Sequence, residues 1–455
     1  MNKRRLVIGI LCCFTFANSY SQVWSAVGEG LEGIDAKGMA MAVYKGDLYV
    51  GGYFTEAGGI AANNIAKWDG TEWSKVGEGT NAAVYAMGIY NDELYVGGTF
   101  DTVSGIATGC VAKWDGTEWS AVGNGIYRGG PGAGVLAFGV YQDELYIGGS
   151  FPINNGNPSR RIAKWNGTQW LPVAQDVMDN SYCQKISCLT QYQGELYVGG
   201  SFNLHIEDEE AESIIRFDGS VWKTVGSGIP SGSVKNLHVY QGDLYVSGTF
   251  EWNYGNPGKS VAKWDGTNWH EVGGGFADDN WEQGRVFSCT LYRDHLFFGG
   301  NIWHAGPTEA PGIVSWNGAY WTAYGNVYGP YGGGISEMAE YNGSLYVTGY
   351  LEDADGVPVN RIAKLTFTTD IETVQGHDFR IHPNPATTNL TIESRTPLAQ
   401  VWVRDVAGRA VLPAPYPSRT SGYSNIDVSS LTSGIYLVEV LTQNGQRSVQ
   451  KVVVE

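Results

Sequence analysis

The feature that most constrains the fold is a five-residue phrase that occurs seven times along the chain. Its first copy is Leu48-Tyr-Val-Gly-Gly52, and successive copies begin 46 to 52 residues apart. The seven copies begin at Leu48, Leu94, Leu145, Leu196, Leu244, Leu296 and Leu345. A fixed period of this length indicates a repeat architecture, in which neighbouring units bury a core that no single unit can bury alone.

Each period contains four short apolar runs, which in the second repeat are 84–90, 93–100, 111–114 and 119–122. Their Val, Ile, Tyr and Trp residues favour strands, and the runs are too short for helices. Polar, Gly-containing pairs such as Asp69-Gly70 join the runs, and such pairs favour tight hairpins. Four antiparallel strands form one blade of a β-propeller. Seven periods therefore predict an all-β, seven-bladed propeller.

The N-terminal phrase Val23-Trp-Ser-Ala-Val-Gly28 has no repeat in front of it. Similar phrases close six repeats, beginning at Trp73, Trp119, Trp170, Trp222, Trp269 and Trp321. The seventh repeat has only three runs, 335–341, 345–349 and 362–365. We therefore predict that residues 23–28 form its fourth strand and close the ring, which removes an unpaired sheet edge.

Residues 1–21 have the pattern of a secretory signal peptide. Lys3-Arg-Arg5 precede the apolar run 6–16, and small residues precede the predicted cut before Gln22. The apolar run is short for a bilayer span, and no other segment is a better candidate. We predict a secreted mature chain without membrane insertion, in which a Cys183–Cys188 disulfide is possible but not established by spacing.

The formal net charge of the chain is −17. From residue 371 onward, seven acidic residues balance seven basic ones, so the excess acid lies in the repeat region. A surface this acidic repels nucleic acid, and we predict no nucleic-acid partner.

The repeat is lost at 367–378, which we interpret as a linker, and 379–455 show a different pattern. Alternating apolar residues and turns predict a small C-terminal immunoglobulin-like β-sandwich. Its marked positions are Pro383, Asn384, Pro385, Asp405, Gly408, Gly434, Ile435, Tyr436 and Lys451.

These C-terminal phrases resemble the type A C-terminal sorting domain of the type IX secretion system of Bacteroidota. His382 departs from the tyrosine that is commoner there. The resemblance implies recognition by the type IX secretion machinery, passage across the outer membrane, and release or attachment at the cell surface. The repeats at 22–366 resemble kelch-like propellers and, more closely, the Leu-Tyr-Val-Gly-Gly repeats of exported bacterial proteins.

Two long connections per repeat emerge on one face, where a rigid scaffold presents variable loops. Of 16 tryptophans, 12 occupy repeated strand positions and Trp402 lies in the sorting domain. The other three lie in these loops with further aromatic residues and a histidine. We predict a ligand-binding patch of Trp252, Tyr254, Trp281, Trp303, His304, Tyr328 and Tyr331.

The function we predict is a secreted or cell-surface binding module for a glycan or a protein. A polysaccharide hydrolase or lyase is the first alternative, and an adhesion or scaffold protein without a small ligand is the second. Loop carboxylates that a hydrolase would draw on are Glu56, Asp101, Glu251, Asp278 and Glu309. The sequence has no evident nucleophile motif or metal cluster, and we assign no catalytic residue, metal or cofactor.

Overall fold

The structure, a computed structural model, describes residues 21–455 except 128, 131, 153–159, 174–182, 252–256, 280–282, 330–333, 369–378, 395–396, 406–410, 413–422 and 443–446. All regular elements in this part of the chain are β-strands. One compact unit spans Val23–Thr366, and a second contains Phe367–Glu455. Residues 1–20 of the predicted signal peptide lie outside the described residues, as does most of the predicted linker.

The described repeats form seven four-stranded sheets, one per repeat, which we call blades one to seven. First strands are Lys37–Tyr44, Val84–Tyr90, Val135–Tyr141, Cys183–Tyr192, Ser233–Tyr240, Arg285–Tyr292 and Ile335–Tyr341. Second strands are Asp47–Tyr53, Glu93–Gly98, Glu144–Gly149, Glu195–Ile206, Asp243–Thr249, His295–Asn301 and Ser344–Gly349. Third strands are Ile65–Trp68, Val111–Trp114, Ile162–Trp165, Glu209–Phe217, Val261–Trp264, Ile313–Trp316 and Ile362–Thr368. Fourth strands are Trp73–Lys75, Trp119–Ala121, Trp170–Pro172, Trp222–Thr224, Trp269–Glu271 and Trp321–Ala323, with Ser21–Ala26 in blade seven.

The blades form a closed circuit. First strands of consecutive blades contact each other, and the first strand of blade seven contacts that of blade one. In blade seven the N-terminal strand Ser21–Ala26 pairs with Ile362–Thr368. It begins two residues before the stretch that the sequence indicated. The arrangement is that of a β-propeller whose innermost strands surround a central channel.

In six of the seven blades, the tryptophan of the fourth strand connects its blade to the one before it. The indole N–H of Trp73 donates to the carbonyl of Val27 at 3.1 Å, and that of Trp119 donates to Val76 at 3.0 Å. Trp170, Trp269 and Trp321 make the equivalent bond. Trp24 completes the set by donating to the carbonyl of Tyr324 at 2.9 Å. The N-terminal strand therefore makes the same contact with blade six that five other fourth strands make with their own preceding blades.

Tyrosines at the ends of the first strands form a second belt in the opposite direction. Tyr44 donates its hydroxyl to the carbonyl of Asp92 in blade two, and each later tyrosine contacts the next hairpin in the same way. The other six are Tyr90, Tyr141, Tyr192, Tyr240, Tyr292 and Tyr341. The last of them returns to Gly46 of blade one at 2.9 Å. The belt is complete around all seven blades.

The Gly-Gly pair of the repeat allows strands and blades to approach closely. A Cβ on Gly52 would lie 2.1 Å from the carbonyl oxygen of Lys37, and one on Gly51 would lie 2.5 Å from Val84 of the next blade. At five junctions a second-strand glycine faces a β-branched residue of the next blade: Gly51 and Val84, Gly97 and Val135, Gly148 and Ile186, Gly199 and Val234, Gly299 and Ile335.

At the junction of blades seven and one, the small and the β-branched residue have changed places. Here the second strand carries Thr348, which is fully buried, and the facing first-strand residue is Gly38. A Cβ on Gly38 would lie 2.0 Å from the Thr348 hydroxyl oxygen. The side chain that fills this junction thus comes from the second strand of blade seven, and not from the first strand of blade one.

The second unit contains two three-stranded antiparallel sheets, Phe379–His382 with Asn389–Ser394 and Tyr423–Asp427, and Leu398–Asp405 with Gly434–Thr442 and Arg447–Val454. Apolar residues of both sheets form one core, which includes Ile392, Val403 and Val438. The unit is therefore a small β-sandwich. The immunoglobulin-like topology stays a prediction.

Cys183 and Cys188 are thiols in the structure rather than a disulfide. They lie on the same first strand, where Cys183 is opposite Phe202 and Cys188 is opposite Gly199. Burial raises the pKa of the Cys183 thiol to about 11 and that of Cys188 to about 12, which leaves both protonated at neutral pH.

Trp24→Ala should destabilise the propeller by about 3–5 kcal/mol, because it empties a buried aromatic site and removes the hydrogen bond that joins blades six and seven. Chemical denaturation measures the loss. Val23→Ala is the matched control, since Val23 is 42% exposed on the same strand. Equal midpoints for the two variants would contradict the closing role of Trp24.

Gly38→Val should cost about 1–3 kcal/mol through overpacking against Thr348. Adding Thr348→Gly to that variant recreates the size pattern of the other junctions and should recover most of the loss. A double-mutant cycle by thermal denaturation measures the coupling. Simple additivity of the two single changes would show that these residues do not share one packing site.

Candidate functional site

The face that carries the long connections is built from small sheets rather than from irregular loops. A hairpin between the second and third strands forms in blades one, two, six and seven, which are consecutive around the ring. These hairpins are Glu56–Ala57 with Ile60–Ala61, Thr102–Val103 with Ile106–Ala107, His304–Ala305 with Thr308–Glu309, and Asp353–Ala354 with Val357–Pro358. Three of them also pair with the connection that enters the blade, through Leu31–Glu32, Phe276–Ala277 and Val327–Tyr328.

Sequence reasoning missed these hairpins because it treated the connections as different in every blade. The signal is present in the sequence: a buried apolar residue is followed three positions later by a smaller buried one, and a glycine comes one or two positions after that. The residue pairs are Phe54 and Ala57, Phe100 and Val103, Ile302 and Ala305, and Leu351 and Ala354. Blade four departs from this pattern, since Glu195–Ile206 and Glu209–Phe217 extend into one long hairpin.

Three of the seven residues predicted to bind ligand lie in the described part of the chain. Trp303 is 38% exposed and Tyr328 is 50% exposed. His304 is partly buried, and its Nδ1 lies 3.1 Å from the carbonyl oxygen of Asp278, so this nitrogen donates. Trp252, Tyr254, Trp281 and Tyr331 lie outside the described residues, and their role stays a prediction.

The sheet of blade six brings His304 together with two of the candidate carboxylate residues. Asp278 follows the strand that pairs with His304, and Glu309 is directly opposite His304 in the hairpin. Glu56, Asp101 and Glu251 belong to blades one, two and five. The five acidic residues thus come from four different parts of the ring.

A cleft of about 830 Å³ opens on the same face, between the loops of blades one and two. Two apolar side chains at its edge are accessible to solvent, since Ile34 is 85% exposed and Tyr53 is 48% exposed. Asn63, Glu78 and Asn81 are among the polar residues that line it. An exposed ring beside carbonyl and amide groups suits a ligand with both apolar faces and hydroxyl groups.

Hydrogen bonds hold the walls of this cleft. The side-chain amide of Asn63 donates to the carbonyl of Glu78 at 3.0 Å, and the Thr80 amide donates to the carbonyl of Asn63 at 3.0 Å. The Asn81 side chain donates to Asp101 at 2.6 Å and accepts the backbone N–H groups of Asp101 and Thr102. The cleft is therefore formed before any ligand arrives, which lowers the entropy cost of binding.

Among the described residues, no group of three or more His, Cys, Asp or Glu side chains has a geometry that could hold a metal ion. No helix in the described ranges is long and apolar enough to cross a bilayer.

The marked positions of the second unit connect its first loop to its last strand. Asn384 donates its amide to the carbonyl of Lys451 at 3.1 Å and accepts the N–H of Val453 at 2.8 Å. The Tyr436 hydroxyl donates to the carbonyl of Thr432 at 2.7 Å and closes the turn before Gly434. Gly434 and Ile435 begin the central strand, opposite Val454 and Val453, and Asp405 is opposite Tyr436. Pro383 and Pro385 flank Asn384, whereas Gly408 lies outside the described residues.

Comparison with solved structures finds similar propellers at low sequence identity. The WD40 β-propeller domain of Doa1 is 12% identical, with 76% of this chain and 98% of that chain covered and a TM-score of 0.41. YCF48 bound to D1 peptide is also 12% identical, with 76% and 97% covered and a TM-score of 0.41. No curated protein matches the chain.

Residues 380–455 match the family model of the secretion system C-terminal sorting domain. The match covers the sandwich that Asn384 and Tyr436 stabilise. The chain therefore carries a type IX secretion sorting domain that follows a β-propeller in the sequence.

Proposed function

We propose that this secreted propeller protein is a glycan-binding module, with the cleft between blades one and two as a binding site. The observation that carries the proposal is a preformed cleft that places the exposed Tyr53 ring beside amide and carbonyl groups. Aromatic rings offer rigid area to the apolar face of a sugar, and amides bond its hydroxyl groups. Trp303 and Tyr328 extend the proposed ligand-binding face toward blades six and seven.

The sorting domain supports export through the type IX machinery, followed by release or surface attachment. The signal-peptide pattern of residues 1–21 supports a first passage across the inner membrane. A glycan outside the cell is a ligand that such a protein would meet.

One separate observation supports a protein-binding role without a small ligand. The residue before each belt tyrosine is an exposed aliphatic side chain in five blades: Val43, Ile89, Val140, Val239 and Leu291. These residues lie near the hairpins between the first and second strands, at the end of the first strands away from the cleft. A protein partner would cover such an apolar ring, whereas a glycan would not. Cell-binding assays with and without Leu291→Asp separate this role from glycan binding at the cleft.

Catalysis on polysaccharide remains the alternative that reducing-sugar release tests directly. In a hydrolase, two carboxylates on either side of the scissile bond would be about 5–10 Å apart. Release of reducing ends from a polysaccharide panel, lost in Glu309→Gln, would favour the hydrolase over the binding module.

Tyr53→Ala should weaken binding to the glycan that the native protein selects on an array by at least about tenfold, or ~1.4 kcal/mol. The cause is loss of the exposed aromatic ring of the cleft, since Phe54, the other aromatic residue that lines it, is buried. Tyr320→Ala is the matched control, because Tyr320 is 55% exposed in the hairpin between the third and fourth strands of blade six. Titration calorimetry with the selected glycan measures both variants. Unchanged affinity in Tyr53→Ala would remove the cleft from the proposal.

A further inference from the structure

The residue before each belt tyrosine occupies a position that the fold does not require to be apolar. In every blade it lies opposite the leucine that begins the repeated phrase, and that leucine is buried. Gln191 occupies the position in blade four and Glu340 in blade seven, and both are exposed. The leucines opposite them, Leu196 and Leu345, are fully buried all the same. Packing of the blades therefore does not explain why the other five blades have an exposed aliphatic residue here.

Hydrogen bonds between neighbouring blades hold these five aliphatic residues in one ring. The hydroxyl of Tyr44 in blade one donates to the carbonyl of Asp92 in blade two at 2.8 Å. The hydroxyl of Tyr90 in blade two donates to the carbonyl of Asp143 in blade three at 2.8 Å. Because each aliphatic residue directly precedes a tyrosine of this belt, the belt fixes the ring beside the hairpins that the tyrosines contact.

We call this side of the propeller the hairpin face. It carries the two-residue turns between the first and second strands and the four-residue turns between the third and fourth strands. All of these turns lie in the described part of the chain. A direct contact joins the two kinds of turn, since the ammonium group of Lys45 donates to the carbonyl of Asp115 at 2.5 Å. The ring and the turns around it therefore form one continuous surface.

The turns of the hairpin face are strongly acidic. The acidic residues in them are Asp69, Glu72, Asp92, Asp115, Glu118, Asp143, Asp218, Asp265 and Asp294, whereas the basic ones are Lys45 and Arg293. Third-strand lysines do not offset this excess, because they already pair with the acidic residues that begin the second strands. Lys67 and Asp47, for example, are 2.6 Å apart. The first six of the nine acidic residues belong to blades one to three, where the ring contains Val43, Ile89 and Val140.

An aliphatic ring beside acidic turns fits one kind of partner. A protein segment with basic and apolar side chains would cover the aliphatic groups and bring cations to the carboxylates. A second copy of this chain would present the same acidic turns, and its net charge of −17 opposes that contact. The anionic surface of a membrane would be repelled for the same reason.

We propose that the hairpin face binds a protein segment that carries basic and apolar side chains, through the aliphatic ring and the acidic turns of blades one to three. The inference rests on the protein-binding role and adds the chemistry of the partner to it. It is independent of glycan binding at the cleft, which lies on the other face.

Fluorescence anisotropy with three labelled twelve-residue peptides tests this chemistry on the chain from residue 21 onward. The peptides alternate Lys with Leu, Lys with Ser, or Glu with Leu. The native protein should bind the Lys-Leu peptide at least about tenfold more tightly than either of the others. The reason is that this peptide alone can cover the apolar ring and also pair with the carboxylates.

Two double variants locate the binding on the hairpin face. Ile89→Ser/Val140→Ser and Asp92→Asn/Asp143→Asn should each weaken binding of the Lys-Leu peptide at least about tenfold. Asp92 and Asp143 have positive φ angles, which asparagine also adopts, so the turns are retained. Ile60→Ser/Ile106→Ser is the matched control, because both isoleucines are exposed in hairpins of the opposite face. Thermal denaturation of each variant checks that the propeller stays folded.

Four results would overturn the inference. The first is equal affinity of the native protein for the Lys-Leu and Glu-Leu peptides. The second is an equal loss of affinity in the control variant and in Ile89→Ser/Val140→Ser. The third is a native dimer in sedimentation analysis that Ile89→Ser/Val140→Ser abolishes, which would assign the ring to a second copy. The fourth is co-sedimentation with phosphatidylcholine vesicles that the same variant abolishes, which would assign the ring to a membrane.

Tyr53→Ala should leave binding of the Lys-Leu peptide unchanged, because Tyr53 lies at the cleft. Failure of glycan binding at the cleft and failure of peptide binding at the hairpin face are therefore distinguished by the same set of variants.

Discussion

The bond from a fourth-strand indole N–H to a carbonyl of the preceding blade is the interaction on which the ring depends. Six of the seven fourth-strand tryptophans make it, and Trp24 makes it across 300 residues of sequence. A buried indole N–H without a partner is costly, so each bond fixes the spacing of two blades as well as joining them. Trp222 lacks a partner for its N–H among the described residues, which identifies blade four as the exception.

The two belts and the glycine junctions make the blades rigid in complementary ways. The fourth-strand tryptophans donate to the preceding blade, and the first-strand tyrosines donate to the next blade. The glycines allow neighbouring blades to pack closely. Because these constraints use backbone carbonyls and repeated positions, they leave the other face free to vary. The cleft of blades one and two lies at that face, where sequence changes do not disturb the belts.

The repeat made the strands predictable, whereas the differences between repeats were harder to interpret. Leu48-Tyr-Val-Gly-Gly52 and its copies predicted four strands per period, and the sheet pairing confirms this. The closing strand could be predicted because the N-terminal phrase and the seventh repeat lacked complementary parts. The exchange of Thr348 and Gly38 was not predictable, because it appears only when the register of two distant strands is known. The cleft escaped prediction because aromatic content alone pointed to blades five and six.

The closing strand also bears on how the ring folds. Strands one to three of every repeat are neighbours in sequence, so each blade pairs them through connections within one repeat, with low loop-closure entropy. The strand Ser21–Ala26 instead reaches Ile362–Thr368, and contacts of such separation slow folding when they are needed early. Blade seven already has three locally paired strands without it, so closure is not required to start folding. The N-terminal strand therefore contributes chiefly to the stability of the finished ring, through its pairing with Ile362–Thr368 and through the buried side chain of Trp24.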